Sequence, residues 1–411
     1  MRKTTILLNL SLLLTFNVIA ADFTTGNLVV LRVGNGAAAL SSAGTPSFLE
    51  EITTTGTAVQ TIANPTSGDN MISNSGTATS EGALSLSPDG TYITFAGYNA
   101  TTGTTSVGGT ASATTNRIIL SYDKKLNITS IKSTTAFSAN NIRSAVRNGS
   151  DFWAGGTSSG AGTNGVQYLG TSTAAQVSST ITNVRVVNIF NNQLYFSTGS
   201  GTSGIYKVAT GLPTTTGQTS TLEITVGGTS PSPYGFIFNS SNTICYVADD
   251  RTNTSGGVKK YTNSGSGWTE IYTLNPATNI GTRGLTVDWS GVNPIIYAVG
   301  TDSKVYKIED VNVSSTGVVL ATAPTNTAFR GIAFAPKQNP STNVISPKSN
   351  NFTLSNNTLT FTELPTSKIE VYTLTGSKAA IYEPAQSIDL KLSNGVYVLK
   401  VDNRTSKIIL K

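Results

Sequence analysis

Arg283-Gly-Leu-Thr-Val287 and, 47 residues on, Arg330-Gly-Ile-Ala-Phe334 follow one formula: a polar residue, a small residue, then an apolar strand. Working outward from this pair, the formula recurs at Glu81-Gly-Ala-Leu-Ser-Leu, Arg143-Ser-Ala-Val, Arg185-Val-Val-Asn-Ile-Phe and Tyr234-Gly-Phe-Ile-Phe. The third of the six, in chain order, bends the rule with Val186 in the small position. The intervals are 62, 42, 49, 49 and 47 residues. After most of these anchors comes a second strand, such as Leu194-Tyr-Phe-Ser-Thr-Gly or Cys245-Tyr-Val-Ala-Asp-Asp. A third follows a turn, such as Gly204-Ile-Tyr-Lys-Val or Lys304-Val-Tyr-Lys-Ile, and a weaker fourth precedes the next anchor.

A period of 40–50 residues with about four strands per unit resembles the blades of β-propeller repeat proteins. The last anchor has one strand before a polar stretch. The N-terminal part has the complement: Asn27-Leu-Val-Val-Leu-Arg-Val, Phe48-Leu-Glu-Glu-Ile-Thr and Ala58-Val-Gln-Thr-Ile-Ala read as second, third and fourth strands with no first. Joining the two completes one blade and leaves no open edge. Six anchors give six blades. Seven is the alternative, because the 62-residue interval has room for another, although residues 99–116 lack apolar alternation and read as a long loop.

The C-terminal 60 residues read differently. Alternating runs at Phe352-Thr-Leu, Leu359-Thr-Phe, Lys368–Tyr372, Ile388–Leu392, Val396–Val401 and Lys407–Leu410 are separated by Gly, Asn and Pro turns, the pattern of a small β-sandwich. Ile369-Glu-Val-Tyr-Thr-Leu-Thr-Gly376, Leu392-Ser-Asn-Gly-Val-Tyr-Val-Leu-Lys400 and the Lys-bounded final strand resemble the type A C-terminal sorting domain of type IX secretion cargo. Tyr372, Gly376, Asn394, Gly395, Tyr397, Lys400 and Lys411 carry the resemblance. It implies a Bacteroidota-type source, passage through the outer-membrane type IX machinery, and removal of the domain by that system's processing protease. Arg2 and Lys3 before the apolar run Ile6–Phe16, with small residues ending at Ala20, have the form of a secretory signal. The expected organisation is a signal peptide at 1–20, a propeller at 22–337, a linker at 338–350 and a sorting β-sandwich at 351–411. The expected location is the outer-membrane surface or the extracellular space, reached through the periplasm, with no transmembrane segment in the mature chain.

Composition excludes much chemistry. The 411 residues include no His and one Cys, Cys245, so imidazole bases, His-ligated metals, iron–sulfur clusters and intrachain disulfides are ruled out. Charged residues make up 12%, and the pI is near 9.2. That basic balance lies at the ends: residues 22–345 hold 17 basic and 16 acidic side chains. No Lys/Arg run has interleaved aromatics, so nucleic acid is not an expected partner.

In a propeller the start of each first strand lies beside the central channel. Glu81, Arg143, Arg185, Tyr234, Arg283 and Arg330 are therefore expected to ring the channel mouth. Guanidinium forks suit carboxylate, phosphate or sulfate, so a glycan or an anionic small molecule is one expected ligand. A structural role is the other reading, each Arg bonding the neighbouring blade or a carboxylate such as Asp288 or Asp302. Asp249-Asp250 and Asp302 on the second-to-third loops could take Ca²⁺, a loose resemblance to calcium-dependent lactonase propellers of the gluconolactonase type, but a mouth rich in Arg opposes a cation and no cofactor is expected. Trp268, between Gly267 and Thr269, is the expected exposed stacking platform, and Trp153 is expected in the core. Three functions stand: a binding protein, a lactonase- or lyase-like enzyme with Glu81 or Tyr234 as acid/base, and a structural surface or adhesion protein.

Overall fold

A computed structural model describes residues 20–160, 162–170, 173–338, 352–402 and 404–410. The expected signal peptide up to residue 19, residues 339–350 of the expected linker, and Lys411 lie outside the described residues. The chain divides into two compact units, Met1–Asn339 and Pro340–Lys411.

The described residues of the first unit form six four-stranded antiparallel sheets and one two-stranded ribbon. Five sheets are sequential meanders whose first strands are Ser85–Leu86, Ile142–Asn148, Val184–Phe190, Pro233–Phe238 and Thr282–Asp288. The sixth joins the two ends of the unit. Ala328–Phe334 pairs antiparallel with Leu28–Val33, followed by Ser47–Ile52 and Ala58–Ala63. The first strands contact one another in sequence, and Ala328–Phe334 touches both Thr282–Asp288 and Ser85–Leu86, which closes the ring. This unit is a β-propeller, with each of its four-stranded sheets as a blade.

The alternation of the strands explains the packing. Each sheet has apolar residues on both faces, and the buried clusters bring neighbouring blades together. One unites Phe236, Tyr246, Leu285 and Ile296, and another unites Leu31, Phe95 and Leu120. Burying a side chain of this size stabilises by about 2 kcal/mol. Cys245 is fully buried in the first of these clusters. Residues 99–116 contain a short 3₁₀ turn, Val107–Gly109, and no strand. The ribbon pairs Gly44–Thr45 with Asn74–Ser75 and was not legible in the alternation of the sequence.

The second unit is a small β-sandwich. One sheet contains Phe352–Ser355, Thr358–Phe361 and Ser387–Asp389; the other contains Lys378–Tyr382, Ile369–Thr373, Gly395–Val401 and Arg404–Leu410. Leu359, Ile369, Val371 and Leu399 are fully buried between them.

Candidate functional site

The anchor formula has a physical basis. In five blades the inner strand carries one extra residue opposite its partner, and the slip falls at the anchor. The slips lie between Ile142 and Ser144, Val184 and Val187, Pro233 and Phe236, and Thr282 and Gly284, and opposite Arg330-Gly331 in the closing blade. A bulge leaves the extra residue out of the ladder and re-aims its side chain. Arg143, Arg185, Tyr234, Arg283 and Arg330 are thereby released from blade alternation.

The small residue next to the anchor has its own cause. A Cβ on Gly235 would stand 2.8 Å from the Arg283 carbonyl oxygen, one on Gly284 3.0 Å from that of Arg330, and one on Gly331 2.2 Å from the Leu84 nitrogen. At these junctions the next inner strand occupies the space a side chain would need. Elsewhere a hydroxyl bridges the strands: Ser85 Oγ donates to the Ala145 carbonyl at 2.6 Å, and Ser144 Oγ accepts from the Val187 N–H at 3.0 Å.

The released side chains mostly hold the next blade. Arg143 donates to Asn183 Oδ1 and to the Val184 carbonyl, the latter at 3.3 Å. Arg185 donates to Ser232 Oγ at 2.6 Å and to the Pro233 carbonyl at 3.3 Å. Arg330, 5% exposed, donates to the Gly76 carbonyl at 2.7 Å. Arg283 pairs backwards with Asp250 at 3.0 Å, in the preceding blade's loop, and not with Asp288 or Asp302. The Tyr234 ring carries the Arg185 guanidinium 4.3 Å from its centroid and that of Arg283 at 5.7 Å. Burial lowers the pKa of Arg143, and that of Arg330 to about 10.

Glu81 is held differently from the other five anchors. It lies four residues before its paired strand, and Gly82, at φ +81°, turns the chain there. Its carboxylate is buried and accepts from Tyr98 Oη and Asn141 Nδ2, each at 2.5 Å, and from the Ser75 N–H at 2.9 Å. Burial raises its pKa above the usual carboxylate value, against the pull of these donors and of Arg330.

A cavity of about 310 Å³ follows the inner strands below the anchors. It runs from Ala83 and Arg283 to exposed Pro88, Asn191 and Ser240 at the far ends of these strands. Asn188, Asn191 and Thr286 supply polar groups and Phe190 and Phe334 apolar surface, while the Asn239 amide is spent within its own turn on Ser241, Thr243 and Ile244. Arg283 is the one charged residue among the described residues lining it. Sequence reasoning missed this lining because its residues lie in the apolar body of each strand, which reads as ordinary core.

The loop acids are already matched by cations. Asp249 accepts from Arg251 at 2.7 Å, Asp250 from Arg283, and Asp302 from Lys304 at 2.8 Å. Among the described residues no group of three or more His, Cys, Asp or Glu could hold a metal ion. Trp153 is 1% exposed in the core, its indole N–H donating to the Pro213 carbonyl at 2.7 Å. Trp268 is not a free platform: it is half-buried against Phe238, ring centroids 5.2 Å apart.

In the second unit, Tyr372 Oη donates to Glu370 at 2.9 Å, and Lys400 lies 3.8 Å from the same carboxylate. Gly376, at φ +86°, makes the turn after Ile369–Thr373. Asn394 precedes the strand Gly395–Val401, in which Tyr397 Oη donates to the Ser393 carbonyl at 3.0 Å.

No protein-family model matches the sequence, and no curated protein matches it. Among solved structures, a Bacteroides fragilis protein assigned by name to the 6-phosphogluconolactonases is similar at 12% identity and TM-score 0.41, covering 93% of this chain and 98% of that one. The periplasmic gluconolactonase PpgL of Pseudomonas aeruginosa is similar at 13% identity and TM-score 0.40, covering 93% and 99%. The β-propeller domain of Cps50 (Swd1) from Myceliophteria thermophila is similar at 9% identity and TM-score 0.34, covering 81% and 97%.

Proposed function

We propose that this chain is an exported β-propeller binding protein that takes a glycan in its central channel. The observation that carries the reading is the cavity itself: its lining combines polar residues, among them Asn188, Asn191, Ser240 and Thr286, with apolar ones such as Phe190 and Phe334, a mixture that suits the polar edges and apolar faces of a sugar. Most of the anchor arginines hold neighbouring blades, so a neutral or weakly anionic glycan fits better than a strongly acidic ligand. Arg283 is positioned to meet one anionic substituent. Glu81 and Tyr234, the acid/base candidates of the enzymatic reading, do not line the cavity, which favours binding over catalysis.

Export rests on the N-terminal signal and on the sorting motifs. The type IX machinery would carry the protein from the periplasm across the outer membrane to the cell surface or medium, and its processing protease would remove the C-terminal sandwich.

A glycan array tests the ligand, with Ser240→Trp as the control that blocks the exposed end of the channel. Binding lost at least tenfold in the variant supports the reading; no glycan bound, or binding unchanged by Ser240→Trp, overturns it. Mass spectrometry of secreted protein tests export. The mature form is expected to lack the peptide Lys407–Lys411, and its retention in the medium counts against processing.

A further inference from the structure

A second concavity shares no lining residue with the channel cavity. It has a volume of about 260 Å³, close to the lower end of the range for small-molecule sites, and Ser42, Ser75, Ser106, Asn140 and Asn141 line it together with the backbone of Gly108 and Gly109. Four segments meet there: the second-to-third loop of the closing blade, the connection carrying the Asn74–Ser75 ribbon strand, the long loop 99–116, and the connection 134–141.

These loops are held by a buried framework. Arg117 is 0% exposed, and its guanidinium donates to five backbone carbonyls: Phe137, Thr115, Gly108, Thr110 and Asn140. The Val107 N–H bonds the Ser42 carbonyl at 3.1 Å, and the Ala139 N–H bonds that of Thr110 at 3.1 Å. Ser106 and Ala139, both in the wall, adopt left-handed conformations at φ 45° and 54°. Such backbone persists only where the surroundings over-determine it, and it concentrates at functional sites.

The floor is chemically specified. Asn141 Nδ2 is committed to the buried Glu81 carboxylate at 2.5 Å and to Tyr98 Oη at 3.3 Å. That fixes the amide and reserves its Oδ1 as an acceptor. A Cβ on Gly108 would stand 3.0 Å from Asn141 Nδ2, so position 108 stays bare for the amide to keep this place. The described lining has hydroxyls, amides and backbone groups, with no charged side chain and no aromatic face.

We propose that this loop pocket is a second binding site, for a neutral polyhydroxylated ligand of monosaccharide size, recognised through Asn141 and the surrounding serines. Glu81 acts as a positioning residue through Asn141. The site is independent of the channel, and its occupancy does not require the channel to bind anything.

The test uses ligand-observed NMR with a panel of neutral monosaccharides on the full chain. Gly109→Phe is the blocking variant. Gly109 lines the pocket, its φ is not in the left-handed region, and a Cβ there meets nothing within 4 Å, so a bulky ring is added to the pocket wall without displacing backbone. The expected result is a sugar signal that persists in wild type and in Ser240→Trp but falls at least tenfold in Gly109→Phe. Asn141→Ala and Glu81→Gln are expected to weaken the same sugar while thermal unfolding shows each variant folded. Absence of any sugar signal, or a signal that survives Gly109→Phe, overturns the proposal. So does an Asn141→Ala protein that unfolds earlier but binds as wild type. Loss in Ser240→Trp alone would instead locate binding in the channel.

Discussion

The two halves of the propeller ring bring their inner strands together by different means. Around Tyr234, Arg283 and Arg330, three glycines leave room for the backbone of the next strand. Around Ser85 and Ser144 a hydroxyl bonds the backbone of the next strand instead. The junction after Arg185 uses neither device: Val186 packs in the core while the Arg185 guanidinium reaches Ser232 and the Pro233 carbonyl. One geometric demand, close approach at the anchor, thus has three chemical solutions. A repeat can therefore keep its shape while its sequence formula drifts.

The sharpest way to break this comparison is to add a methyl group on the glycine side. Gly331→Ala puts Cβ 2.2 Å from the Leu84 nitrogen, which only backbone movement can relieve. A loss of about 3 kcal/mol is expected from overpacking, read as a lower urea midpoint; a loss under about 1 kcal/mol would mean the junction is not tightly closed. On the serine side, Ser144→Ala removes a bridge and leaves the Val187 N–H buried without that acceptor. About 2 kcal/mol is expected in the same assay. Gly284→Ala meets its neighbour at 3.0 Å, so a few tenths of an ångström suffice and about 1 kcal/mol is expected. If Gly284→Ala costs as much as Gly331→Ala, the distances do not rank the junctions.

The smallest expected effect concerns Glu81, where the closing blade meets the serine side. Burial raises its pKa in the folded protein above the ordinary carboxylate value. As pH rises through the window above that ordinary value, the unfolded chain releases this proton before the folded one does. The folded state then holds more protons, and its stability falls with rising pH. Wild type should therefore lose stability relative to Glu81→Gln between pH 4 and pH 7 in paired urea titrations. A difference that grows in favour of wild type over that range would contradict it.

The anchors were legible in the sequence because a bulge recurs at one place in five of the six inner strands, in most of them with a small neighbour beside it. The split closing blade was legible because three N-terminal strands lacked a first and one late strand lacked its partners. The function of the arginines was not, since the sequence cannot distinguish a side chain that holds the next blade from one left for a ligand. Arg330 bonding the Gly76 carbonyl spans 254 residues, a contact no local pattern announces. The Glu81–Asn141 pair, 60 residues apart, was hidden for the same reason. Loop 99–116 carries no periodicity because it is held by non-local bonds, chiefly those of buried Arg117 to carbonyls of this loop and of its neighbour and those of its backbone to residues 42–44.

The closing blade also sets the timing of assembly. Leu28 faces Phe334 across a ladder that joins the beginning of the propeller to its end. Until that late strand has emerged, Leu28–Val33 has a bare edge, so a growing or truncated chain has an adhesive border that the finished ring conceals. A chain that stops short of residue 328 lacks the partner of Leu28–Val33 and cannot close the ring.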